Sequence, residues 1–158
     1  MTPTPRSNDG LKHAWDWFDL HAKQRMQTIN FYIILIGALF VGAGAAIKDN
    51  QYLYSVMLGL IVALASLLFF AMDRRARSLV QIGEAALREE QARLAIAMDN
   101  PALALVDASS ASAKHGVSYG RIFYAMFVVI GLLGLAISIG SVSALLFPGS
   151  LERLLINH

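Results

Sequence analysis

Few residues in this 158-residue chain have the types and spacing that chemistry needs. His13 and His21 share a helical face with Trp17 between them. His13 with Asp16 has the makings of an acid–base pair, an imidazole that titrates near neutrality beside a carboxylate. Two histidines eight apart make a poor metal site, however, and surface or interfacial histidines explain the pattern without a ligand. His115 lies in a Ser/Ala-rich stretch and His158 is the last residue. The sequence has no Gly-rich phosphate loop and no G-x-S-x-G turn, and zero cysteine removes disulfides, thiolate ligands and Cys nucleophiles. The expectation is no catalytic residue, no cofactor, no metal and no enzyme.

Two other patterns carry more information. Arg74, Arg75 and Arg77, with Arg25 and Arg121, form a basic collar beside apolar runs. Attraction to anionic lipid, about 1 kcal/mol per charge, explains such a collar, and a nucleotide or nucleic-acid effector could use the same charges. The second pattern is small residues at helical spacing. Ala38, Gly42 and Ala46 fall four apart in one apolar run, and Gly59 and Ala63 repeat the device in the next. Small residues let helix backbones approach closely in lipid, where burying Leu against Leu gains nothing over acyl chains. These five mark helix packing, within a hairpin or between subunits. In a third run Gly131, Gly134, Ser138 and Ser141 share one face, which makes them candidates to line a pore; ordinary packing is the plainer explanation.

The elements that must position these residues are legible from hydropathy. The chain is 56% hydrophobic and 15% charged, with mean hydropathy +0.54 and net charge +2, more apolar surface than one soluble core of this size can hide. Helices are expected over 31–47 and 52–72, joined by Lys48-Asp49-Asn50-Gln51 into a transmembrane hairpin occupying 29–72, and over a third span, 122–147. None of the three runs contains Asp, Glu, Lys, Arg or His, which argues against proton relays, ion-coupled transport and intramembrane hydrolysis. Before the hairpin, residues 1–28 read as a polar tail with an N-cap at Ser7-Asn8-Asp9 and then an amphipathic helix. Its stripe is Leu11, Trp15, Phe18, Ala22, Met26 and Ile29, suited to lie on the membrane surface or pack on a neighbouring subunit. No secretory leader is apparent in it.

After the hairpin, 73–121 reads as a cytosolic helical stalk and linker. The stalk, Asp73 to Met98, would extend about 39 Å. It carries i,i+4 pairs Glu84–Arg88 and Glu89–Arg93 and a thin seam of Val80, Leu87 and Leu94 suited to weak self-association. Asp99-Asn100-Pro101 should stop it, with a short helix from Pro101 to about Val106 and a flexible linker over 107–116. Residues 148–158 form a short external tail in which Ser150 can cap a terminal turn. The fold class is thus all-α integral membrane protein. With a cytoplasmic N-terminus, eleven Lys and Arg lie inside and two outside, which predicts a cytoplasmic N-terminus and a C-terminus on the far side of the membrane. Phe31, Tyr32 and Tyr119 would then be inner interfacial aromatics.

The succession of an aromatic amphipathic segment (AWDWFDLHAKQRM), an abrupt Asn30-Phe31-Tyr32 entry, a tight hairpin and a charged helix (RRARSLVQIGEAALREEQARL) resembles the SLATT-type membrane modules of bacterial conflict systems. It is similar also to small two-helix membrane effectors found beside retron reverse transcriptases or oligonucleotide-making nucleotidyltransferases. The resemblance covers about Trp15 to Leu94, and the third span departs from the two-helix pattern. It implies a homo-oligomeric effector, contacting membrane lipids and triggered by a cytosolic sensor protein or a nucleotide or nucleic-acid signal, that permeabilises the inner membrane in anti-phage defence. The alternative is a non-conducting membrane anchor, assembly factor or accessory subunit of a larger complex. A holin-like lysis protein fits less well, since those are generally oriented with the N-terminus outside.

Overall fold

The structure, a computed structural model, describes residues 5–113 and 119–147. Helix α1 runs from Pro5 to Lys48 and α2 from Tyr52 to Ala97; a 3₁₀ turn over Pro101–Leu103 leads to α3, Leu105–Ala113, and α4 spans Tyr119–Leu146. Three of these helices are long and apolar enough to cross a membrane.

Both long helices end in the same device. Asn50 takes a left-handed φ of 56°, the Gln51 N–H reaches back to the Ala46 carbonyl at 2.7 Å, and that of Asn50 to Ile47 at 3.1 Å. Asp99 repeats this at φ 47°, with Asn100 bonded to Ala95 and Asp99 to Ile96. Asn and Asp tolerate this conformation, so each helix closes its free carbonyls without glycine. Asn100 also caps the 3₁₀ turn by accepting from the Ala102 N–H, and Pro101 prevents continuation.

The chain divides into two compact units. One comprises the described parts of Met1–Thr28 and Met72–Ile122, the other those of Ile29–Ala71 and Phe123–His158. The second unit holds the apolar spans. Its core is Tyr32, Ile36, Val62, Ala65 and Phe127, with Phe69, Phe70 and Phe123 among the side chains around it. Tyr32 is fully enclosed, its ring centroid 5.1 Å from Phe69 and 4.8 Å from Phe127. It is a core residue and not an interfacial aromatic. The side chain of Tyr119, and the tail over 148–158 with Ser150, lie outside the described residues.

In the first unit the amphipathic part of α1 packs on the charged part of α2. Gly83 lets the helices close: a Cβ there would stand 3.1 Å from Phe18 Cα and 3.1 Å from Trp17 Cδ1. The Trp17 indole N–H points at the Leu79 carbonyl, 3.4 Å away. Several expectations change here. The helix starts at Pro5, with no cap at Ser7-Asn8-Asp9, because proline suits a first helical turn. No break separates the amphipathic segment from the span, since nothing between Leu11 and Ile47 interrupts a helix; the segment is therefore no separate surface helix. Ala14 and Ile29 are buried and Phe18 is half-buried, while Trp15 and Met26 stay exposed. The seam of Val80 and Leu87 is buried within the chain, against the expectation of a self-association stripe.

The linker expectation changes over 107–113, while 114–116 lie outside the described residues. Residues 105–113 form α3, which α2 anchors: the Gln91 side chain accepts from the Val106 N–H at 3.0 Å, and Arg88 pairs with Asp107 at 2.8 Å and donates to Ser110. Arg88 therefore turns to Asp107 where a pair with Glu84 was expected, whereas Arg93 with Glu89 and Lys23 with Asp19 pair as the spacing predicts.

Candidate functional site

The polar atoms inside the spans form a short ladder that joins α2 to its neighbours. Ser66 Oγ donates to the Val62 carbonyl of its own helix at 2.8 Å, so Tyr32 supplies the proton in the 2.8 Å hydroxyl contact between them. Ser138 Oγ donates to the Val56 carbonyl at 3.0 Å and approaches its own helix at Gly134 O, 3.1 Å away. Ser141 Oγ donates to Ser55 Oγ at 2.8 Å. No buried side-chain nitrogen or oxygen among the described residues lacks a partner. In lipid such bonds contribute about 0.6 kcal/mol each, and an unmet hydroxyl would cost more. These groups position helices and leave none poised for catalysis.

Glycine permits that proximity. A Cβ at Gly134 would lie 2.7 Å from the Gly59 carbonyl and 2.8 Å from Val62 Cγ1, and one at Gly59 would strike Ser138. Gly131 faces Ser66, with 3.3 Å available. The stripe Gly131, Gly134, Ser138, Ser141, a candidate lining from sequence, is thus placed in the α2–α4 contact, with Gly134, Ser138 and Ser141 buried. Of the packing residues, Gly42 meets Leu58 at 3.3 Å, Ala46 and Gly59 are buried, and Ala63 is half-buried. Ala38 differs. It is exposed, and Gly37 and Gly44 beside it have nothing within 4 Å. Beyond the ladder, α2 and α4 enclose an open apolar groove of about 540 Å³, lined by Ala63, Leu67, Phe70, Val128, Leu132 and Leu135 among others.

In the first unit the basic collar is not uniform. Arg25 is enclosed and grips Asp73, Nε to Oδ1 at 2.7 Å and Nη2 to Oδ2 at 3.3 Å, with 15% and 10% of the two side chains exposed. It is a structural partner of Asp73, a correction to its place among lipid-contacting arginines. The two residues stand equally far from Asp49 in the hairpin turn, as do Tyr32 and Ser66. An acid directly after an apolar run, level with the arginine on the preceding helix of the hairpin, was the signal that would have found the pair. The Arg77 guanidinium lies against Gly120, where a Cβ would collide with it. Arg74, Arg75 and Arg121 are exposed. His21 stacks on Trp17 at 4.4 Å with Nδ1 2.8 Å from the Trp17 carbonyl, and no cluster among the described residues could hold a metal ion.

The comparisons agree with this picture of a helical membrane protein. The chain is 32% identical to CD-NTase-associated protein 19 of Escherichia coli over 136 residues, which span 81% of this chain and 87% of that protein. This bears out the resemblance to small membrane proteins associated with nucleotidyltransferases. No solved structure matches. The family model of octameric membrane proteins matches residues 8–141, which takes in the hairpin, the charged helix and most of the third span: the chain belongs to the octameric membrane protein family.

Proposed function

We propose that the chain is the homo-oligomeric, pore-forming effector of a bacterial anti-phage system, seated in the inner membrane with its N-terminus in the cytoplasm. The observation that carries this reading is membership of an octameric membrane family by a chain whose described residues hold three helices able to span. Three helices are too few to enclose an aqueous path, so any path runs between copies. A path lined by uncharged side chains closes by dewetting and opens by a small displacement of helices. The association that the relative's name records is carried over as a partnership with a CD-NTase, which supplies the trigger. That trigger, a partner protein or a nucleotide, meets the exposed Arg74, Arg75 and Arg121, and α1 and α2, uninterrupted over 44 and 46 residues, carry the displacement into the spans.

One observation favours a second reading. Because the most polar membrane stripe is spent on packing α4 to α2, a non-conducting anchor or accessory subunit needs nothing further from this chain. The two are separated by membrane potential in cells that express the chain alone and together with its partner nucleotidyltransferase. The pore reading expects growth arrest together with depolarisation in the triggered cells. Arrest at unchanged potential, or no effect in either, favours the anchor.

A further inference from the structure

We propose that the copies join head to tail, the outward face of α1 in one copy seating in the α2–α4 groove of the next. This rests on the homo-oligomeric reading above and names its surfaces. A closed ring of more than two copies in cyclic order needs two different, complementary faces on each chain. The apolar unit offers such a pair. On α1 the core side is Tyr32 and Ile36, and Val41, nine residues or about 2.5 turns beyond Tyr32, points the opposite way. Ile34, Gly37 and Ala38 flank Val41 on that open side; all four are exposed, and Gly37 has nothing within 4 Å. The groove lies on the far side of the chain from this face. Its wall on α2 is Ala63 and Leu67, whereas α2 turns Leu58, Ala65 and Phe69 towards α1 and the core.

Shape and depth both fit. A helix face of glycine and alanine is narrow enough for its backbone to enter a groove of about 540 Å³, as close packing in lipid requires. Rotation about the membrane normal keeps every residue at its depth. Helices α1 and α4 run in the same direction, each antiparallel to α2, and Tyr32 stands beside Phe127. Ala38 of one copy therefore meets the next copy near Leu132, and Ile34 meets it near Val128.

The chain has no cysteine, so introduced thiols report contacts without background. The variants Ala38→Cys/Leu132→Cys and Ile34→Cys/Val128→Cys, oxidised with copper phenanthroline in native membranes, should give a ladder from dimer upward. Each single variant should give no ladder, and the control Ala38→Cys/Leu133→Cys should stay monomeric, because Leu133 faces away from the groove. All these positions are exposed, and unchanged helicity and melting confirm the fold. Native mass measured on the same preparations separates the two levels. A multimer that fails to cross-link at 38 and 132, or that forms a dimer through Ala38→Cys alone, overturns the head-to-tail contact and leaves the oligomer standing. A single-copy mass for the unmodified chain removes the oligomeric reading itself.

Discussion

At the level of single residues, the fold depends on glycines and one ion pair. Gly134→Ala places a methyl against the Gly59 carbonyl and Val62, and should cost about 1–3 kcal/mol in equilibrium unfolding from detergent micelles. Gly140→Ala meets open space and should be neutral or stabilising by about 0.5–1 kcal/mol, since alanine is the better helix former. Equal effects at the two positions would mean that α4 does not pack on α2 through Gly134. Arg25 and Asp73 give a second contrast. Asp73→Ala removes the carboxylate that grips a largely enclosed guanidinium and should lose about 3 kcal/mol, whereas Arg25→Met with Asp73→Leu should lie near the unmodified stability. The sequence displayed the small residues and the arginines plainly. It did not display which neighbour each one met: Ala38, Gly42 and Ala46 share a spacing, yet only Ala38 opens outward, because spacing fixes a face and not its partner.

At the level of helices, length and hydropathy revealed all three spans, and the stop at Asp99-Asn100-Pro101 was visible in residue types alone. What remained hidden was the neighbour that overrides local preference. Residues 107–113 look like part of a linker because Ser and Ala bury little surface, but Gln91 and Arg88 hold α3 helical from another element. Likewise the amphipathic stripe suits a membrane surface until Gly83 and Trp17 show that α2 lies against it. The contacts that Arg88 adds to the anchoring of α3 are exposed and worth about 1 kcal/mol. Arg88→Ala should therefore speed amide exchange in α3 by roughly five-fold at most and leave α1 and α2 protected. Exchange that rises equally across all three helices would contradict local anchoring.

At the level of the assembled molecule, the chain leaves two kinds of surface uncovered. Leu53, Leu60 and Leu68 on α2 form a bulky apolar face suited to acyl chains, while Val129, Ala136, Gly140 and Ser143 on α4 form an exposed stripe of smaller side chains. With α1 and the groove engaged between copies, these become the two radial faces of a ring, and the smaller, more polar one suits the axis. On the proposed pore reading, the candidate lining is then not the stripe of Gly131 but the opposite side of the same helix. Single-particle electron cryomicroscopy of the unmodified chain in lipid nanodiscs, with the nucleotidyltransferase of the proposed partnership present, tests this most directly. The expected result is a closed ring of identical copies around an axial path that α4 faces through Ala136 and Gly140. A single-copy particle, or a ring whose axis is filled by packed helices, would contradict it.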